Sequence, residues 1–191
     1  MAKTVSDMSI SLDGFITGPD DSPEHGLGKG GDVLHEWIFR EPGVFEEIFA
    51  SARASTGSIL MGRHSYEVAR GWGEEPPFQM AVFVLTHKPQ ATVAKKGGTT
   101  FHFVTDGLES GLRQAEEAAG DRNIGIHGAT VAQQLLRIGR LDEVYLHVVP
   151  VLLRAGKRLF EERDLRRVDL ELISSEPGDR VLHLRYRVLR S

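Results

Sequence analysis

Apolar residues along this chain come in short runs whose period changes from two to about 3.6. Val5 to Leu12 alternates, with Met8, Ile10 and Leu12 on one face, which predicts a strand. Asp13-Gly14 then turns the chain into Phe15-Ile16. Behind Pro42, residues Val44, Phe45, Ile48, Phe49 and Ala52 recur at helical spacing, which predicts a helix over 44–54. Ser58 to Met61 and Ala81 to Leu85 read as buried strands, and further strands are expected at Thr100 to Val104, Ile124 to Ile126 and Glu143 to Val149. Helical segments are expected at Tyr66 to Arg70, at Leu108 to Ala119 behind a capping Asp106, and from Thr130 to Ile138 after Gly128. Val168 to Ser174 and Arg180 to Leu189 predict a closing hairpin around Pro177-Gly178-Asp179, with one register irregularity near Leu182. Strands alternating with helices argue for an α/β fold with a mainly parallel sheet, and the strand-rich end adds antiparallel strands at one edge. No repeat or linker interrupts the pattern, so a single domain over 1–191 is expected.

Composition narrows the function classes. The 191 residues carry a net charge of -4, which argues against general attraction to nucleic acid or anionic lipid. There is no cysteine, so disulfides, thiolate metal sites and cysteine nucleophiles are excluded. Met1 to Ser11 has no long apolar stretch of the secretory kind, and no run is long enough to span a membrane, so a cytoplasmic protein is expected.

Three strand ends carry the candidate chemistry. Gly62-Arg63-His64-Ser65 ends a buried strand with a glycine turn, a guanidinium and a hydroxyl, the arrangement that offers backbone N–H groups to an anion. Thr86-His87-Lys88 and the small-residue turn Gly125 to Thr130 end two other strands. In open α/β sheets such ends share one rim, where ligands bind. Gly26, Gly28 and Gly31 satisfy G-x-G-x-x-G, but no strand precedes them, so Gly18 to Asp32 is read as a long loop that can cover a site. No compact metal-ligand pattern appears among the eight histidines; His102, His147 and His183, on separate strands, are expected to face solvent. Basic residues between Arg154 and Arg167 are interleaved with Glu161, Glu162 and Asp164, as on a solvated surface. Glu46-Glu47 is a possible acid/base pair, or an exposed helix face.

Five segments in order, Ser9 to Ile16, Ile59 to Glu67, Val82 to Pro89, Ile124 to Leu136 and Asp142 to Pro150, resemble the dihydrofolate reductase superfamily. The similarity is greatest to the bacterial branch grouped with the C-terminal reductase domain of the riboflavin-pathway deaminase/reductase. The resemblance covers nearly the whole chain. It implies a three-layer α/β sandwich around a mainly parallel sheet of about eight strands, an NADPH cofactor along the strand ends, and a homodimer. By the same resemblance, Gly62, Arg63, His64 and Ser65 face the adenosine phosphates. Thr86, His87 and Lys88 lie beside the ribose and its 2′-phosphate. Gly128, Ala129, Thr130 and Val131 lie under the pyrophosphate, and Ser9 and Ile16 touch the nicotinamide end. The family's turn contains a cis peptide between two glycines, here His127-Gly128, which is accordingly expected to be cis.

Two departures bear on the substrate. The family's dihydrofolate reductases place a buried carboxylate on the first long helix; by offset this falls near Glu46, with Glu47 and Asp32 also open. Such a group would orient the substrate and help deliver a proton. The arginine that meets a folate tail is missing, because Gly71 to Leu112 contains none. The expected activity is therefore hydride transfer from NADPH to a small heterocyclic or sugar-like substrate, dihydrofolate not being preferred. An aminopyrimidine ribosyl reductase and a non-catalytic nucleotide-binding module are the alternatives.

Overall fold

Continuous apolar runs suit strands covered on both faces, and the chain uses its runs that way. A computed structural model describes residues 2–160 and 167–190. The strands are β1 (Thr4–Ser11), β2 (Phe15–Thr17), β3 (Thr56–Gly62), β4 (Ala81–Leu85), β5 (Val93–Ala94), β6 (Thr100–Val104), β7 (Asn123–His127), β8 (Glu143–Val149), β9 (Lys157–Arg158), β10 (Leu170–Gly178) and β11 (Val181–Val188). The helices are α1 (Glu36–Arg40), α2 (Pro42–Ser55), α3 (Arg63–Val68), α4 (Leu108–Ala119) and α5 (Ala129–Arg137). Among the described residues, nine strands make one sheet in the order β10-β11-β8-β1-β7-β3-β4-β6-β5, and β2 pairs with β9 separately. From β8 to β6 every neighbouring pair is parallel; β11 joins β8, β10 joins β11 and β5 joins β6 antiparallel. The expected fold class is thus present, with the two-residue β5 raising the strand count above eight.

The sheet is packed on both sides. On one, α4 and α5 bury Leu112, Ala115, Val131 and Leu135 against Leu60, Ile124, Ile126 and Val144. Two smaller clusters stand apart from this core. Leu34, Trp37, Val149 and Val181 form one, under α1 and α2; Ile59, Met61, Val82, Val84 and Phe101 form the other, with Tyr66, Trp72 and Phe78 against them.

Several local expectations are corrected. β1 ends at Ser11, so Leu12 is exposed rather than sharing a face with Ile10. α3 begins at Arg63, so Arg63, His64 and Ser65 form a helical first turn rather than a loop before Tyr66. Gly107, not Asp106, is the cap of α4; the Asp106 side chain instead bonds to Ser110 in the first turn. The hairpin turns at Asp179-Arg180, and β10 runs on through Pro177-Gly178, which an edge strand tolerates. The irregularity lies on the partner strand, between Leu172 and Ser174 of β10, facing Tyr186 and Arg185 rather than Leu182. Glu161, Glu162 and Asp164 lie outside the described residues.

Candidate functional site

The parallel strands end on one rim, and two cavities meet there. One, of about 460 Å³, is the candidate cofactor cleft. The other, of about 360 Å³, lies over the sheet between Trp37 on one side and Trp72 and Phe78 on the other. Asp7, Ser9, His35, Trp72 and His127 line both, so these five residues form the junction.

The first cleft gathers ten of the fourteen residues proposed for a cofactor: Ser9, Ile16, Gly62, His64, Ser65, His127, Gly128, Ala129, Thr130 and Val131. Its floor is made where β7 turns into α5. Gly128, the cap of α5, has φ 92° and ψ 149° and makes no side-chain cap bond, so no cap side chain fills the end of the helix. Ser65 closes in from α3: a Cβ on Gly128 would stand 2.5 Å from the Ser65 hydroxyl. A backbone with no side chain in the way, beside a hydroxyl, fits a diphosphate. The His127–Gly128 bond is trans, against expectation. Histidine stands in the first position of the pair, and the positive φ of Gly128 makes the turn without the roughly 3–4 kcal/mol that a non-proline cis bond costs.

Arg63, Thr86, His87 and Lys88 do not line that cleft. They form an adjoining rim: Arg63 donates to the Thr86 hydroxyl at 3.1 Å and to Glu67 at 2.6 Å, and the Lys88 N–H donates to the same hydroxyl at 3.1 Å. His87 and Lys88 are exposed. The Gly18–Asp32 loop covers the cleft through Asp21, Gly26 and Leu27. Asp21 accepts from Lys157 at 3.0 Å and lies 2.5 Å from His64 Nε2. Burial opposes the Asp21 charge, but these two partners outweigh it and hold its carboxyl below the usual range.

The second cavity is walled by Phe45, Ile48, Phe49, Phe78 and Met80 and carries polar groups chiefly at the junction. Glu46 is not among its lining residues. Glu46 and Asp32 are exposed, and Glu47 faces a separate cavity, so none has the burial a substrate-orienting carboxylate requires. Helix α2 turns Phe45, Ile48 and Phe49 inward instead. The carboxylate present is Asp7, from the middle of β1. Its sequence signal was an acidic residue inside an otherwise uncharged strand. An arginine is present as well: Arg53 of α2 lines the cavity, its guanidinium 5.6 Å from the Phe49 ring centroid. Arg53 precedes the arginine-free stretch Gly71 to Leu112 and supplies the cation which that stretch lacks.

Histidines crowd this junction. His147 and His183, expected to face solvent, are buried beneath Trp37, whose ring centroid lies 4.7 and 5.0 Å from theirs. The Trp37 indole donates to Ser9 Oγ at 3.0 Å. His127 packs edge-on to Trp72, and its Nδ1 is buried without a partner. Burial, then His35, push the His127 imidazole down to about 4, against the pull of Asp7. His35 is lowered too, by burial and then His147. Both rings are therefore neutral at neutral pH.

Comparison with known proteins agrees with this fold. A model of the family described as the RibD C-terminal domain matches residues 2–184. "Uncharacterized protein YyaP" of Bacillus subtilis is 24% identical over 184 residues, 91% of this chain and 87% of that protein. Among solved structures, the "Putative riboflavin biosynthesis protein" of Shewanella sp. PV-4 is similar with a TM-score of 0.76 and 22% identity, over 100% of both chains. Dihydrofolate reductase from Enterococcus faecalis, solved in complex with NADP(H) and RAB-propyl, has a TM-score of 0.62 at 16% identity, over 97% of this chain and 96% of that one.

Proposed function

Because the chain belongs to the RibD C-terminal domain family, we propose that it is an NADPH-dependent reductase acting on a small, flat, largely apolar ring. The observation that carries this is the meeting of two cavities at one junction: a glycine-floored cleft suited to a dinucleotide, and an aromatic chamber beside it.

When bound, the nicotinamide would supply a hydride. The chain's own residues do the rest. The start of α5, from Gly128 to Val131, and Ser65 hold the diphosphate. Arg63 and Lys88 place positive charge, and His87 a ring nitrogen, where a 2′-phosphate would extend beyond the cleft, favouring NADPH over NADH. Ser9 and Ile16 border the ring end. Phe45, Phe49 and Phe78 exclude water from the substrate, and Asp7 accepts a hydrogen bond from it and orients it. Neutral His127, its Nδ1 buried without a partner, borders the same junction. Arg53 would meet a carboxylate or phosphate tail, which keeps both folate-like and phosphoribosyl substrates open.

Calorimetric titration tests the cofactor. NADPH should bind more tightly than NADH, and replacing both Arg63 and Lys88 by alanine should narrow the difference. Absence of NADPH binding at millimolar concentration would refute the proposal. Binding without turnover on pterins, pyrimidines or carbonyls would leave a nucleotide-binding module.

A further inference from the structure

A line of hydrogen bonds leaves the junction from Asp7, passes His147, which borders the aromatic chamber, and ends at His183 on β11. His147 Nε2 lies 2.9 Å from Asp7 Oδ1, and His147 Nδ1 lies 2.7 Å from His183 Nδ1. The strands fix this line, because Ser9 of β1 and His183 of β11 are the register partners of His147 on either side. Asp7, two residues from Ser9 along β1, shares its face of the sheet. Asp7 is 37% exposed into the cleft, whereas the His147 side chain is only 5% exposed. At the far end, His183 Nε2 is buried without a partner. Glu41 stands beside it: one point next to Gly178 lies 2.6 Å from Glu41 Oε2 and 3.1 Å from His183 Nε2. Glu41 also accepts the Asp179 N–H at 2.6 Å, at the hairpin turn.

We propose that Asp7, His147 and His183 form a proton relay that supplies the Asp7 carboxylate from the hairpin side of the sheet while the cleft is closed by ligand. This use of the chain rests on the reductase reading; the hydrogen-bonded chain itself does not. Asp7 is the group that would touch substrate. His147 and His183 act through it and are positioning residues.

Two imidazole nitrogens 2.7 Å apart require one proton between them. In the resting arrangement His183 Nδ1–H donates to His147 Nδ1, and His147 Nε2–H donates to the Asp7 carboxylate. His183 Nε2 is then the bare nitrogen, as its lack of a partner suggests. A proton arriving at His183 Nε2 releases the Nδ1 proton to His147 Nδ1, and His147 releases its Nε2 proton to Asp7. Each ring gains one N–H and loses one, no electron moves, and Asp7 gains the proton that a hydride acceptor must also receive. The reverse hop, fed by water in the emptied cleft, restores the first tautomers.

The surroundings of His183 favour its neutral form. Burial, then His147, hold His183 below the usual imidazole range, while Glu41, Glu176 and Asp7 pull the other way. His35 faces His147 from the turn before α1, and Tyr145 lies edge-on at 4.6 Å. No group of three or more His, Asp and Glu among the described residues is arranged to hold a metal, and the two rings bond each other instead.

The full-length chain with 15N-labelled imidazoles tests the relay by long-range 1H–15N spectra across pH 5 to 8.5. His147 and His183 signals should move together. Asp7→Asn removes a charge that contacts His147 and also acts on His183, so it should lower the pH of His183 protonation by about one unit, a tenfold loss of proton affinity. Glu41→Gln, near the surface, should shift His183 in the same direction and carry the His147 Nε2 signal with it, and it decides the matter should Asp7→Asn fail to fold. Independent titrations, or a His147 signal indifferent to Glu41→Gln, would overturn the relay. Calorimetry with NADPH on the same samples separates the two readings. NADPH binding with uncoupled histidines removes the relay alone; coupled histidines without NADPH binding remove the reductase reading and the relay's purpose with it.

Discussion

Gly128→Ala probes the cleft where backbone and ligand requirements coincide. Two costs can be worked out separately. At φ 92° and ψ 149° the backbone lies in a region kept almost entirely for glycine, and an alanine held there costs roughly 1–3 kcal/mol. The new Cβ would also stand 2.5 Å from Ser65 Oγ, although the next atom, Ser65 Cβ, is at an ordinary 3.7 Å. Ser65→Ala removes the first contact and leaves the backbone strain. Gly128→Ala should therefore lower unfolding free energy by about 2–3 kcal/mol, and adding Ser65→Ala should restore no more than about 1 kcal/mol. Urea unfolding of the wild type, both single variants and the double variant reads these terms. Calorimetry with NADPH reads the other half: Ser65→Ala should weaken binding about two- to tenfold, the loss of one neutral hydrogen bond, and Gly128→Ala by more. Gly128→Ala within about 0.5 kcal/mol of wild type would refute the backbone argument. Unchanged NADPH affinity in a folded Gly128→Ala would refute the cradle.

Other positions give independent checks. His127 titrates near 4 in the folded chain and near 6.5 when unfolded, so between those values the unfolded state binds more protons and stability rises with pH. From pH 7 to 5 the wild type should lose up to about 2 kcal/mol through this group, less if cleft water screens it, and His127→Gln should flatten the curve; an unaltered slope in urea unfolding would contradict the assignment. Glu143 is buried between Lys3 and Arg185, each at 2.6 Å; burial opposes its charge, but the two cations hold its carboxyl below the usual range. Its stabilisation is complete above the ordinary carboxylate pKa of about 4.3 and is lost as pH falls through the lowered folded value. Glu143→Gln should cost about 1–2 kcal/mol at pH 7 and less in acid. Glu46→Gln should change stability by under about 0.5 kcal/mol and leave NADPH binding intact, in contrast to any variant at Asp7.

The parts of this molecule set by local pattern were legible in its sequence. β4, β6, β8 and α4 fall within the ranges their apolar periods predicted, because each run has one period and ends at a turn residue. The glycine-floored cleft was also legible, since a strand, a small-residue turn and a helix are contiguous in sequence. The junction was not. Asp7, His35, Trp72 and His127 lie on four separate segments, and the pairing of β1 with β7, together with the loops that cover it, brings them together. His147 and His183 were read as solvent-facing because polar residues at period two usually are. Here Trp37 covers them, and a covering residue more than a hundred positions away leaves no trace in a strand's own pattern.

The carboxylate shows how one local exchange follows from packing. An acid on the inner face of α2 would have to be held among Phe45, Ile48 and Phe49, where desolvation would disfavour its charge. On β1 the same group sits at the edge of the cleft with His147 Nε2 at 2.9 Å. The helix is then free to present aromatic rings to the substrate chamber. A pocket built this way pairs its acid with an imidazole already buried behind it. The hydrogen-bonded line behind the acid therefore draws on three strands, β1, β8 and β11. Exchanging the two positions, with Asp7→Phe and Phe45→Asp together, would strand the carboxylate in the apolar wall and leave His147 Nε2 without its acceptor. That chain should be less stable than the sum of ordinary surface changes. It should also regain stability in acid, as the stranded aspartate protonates, unlike the native chain, whose neutral His127 and paired Glu143 both lose stability as pH falls.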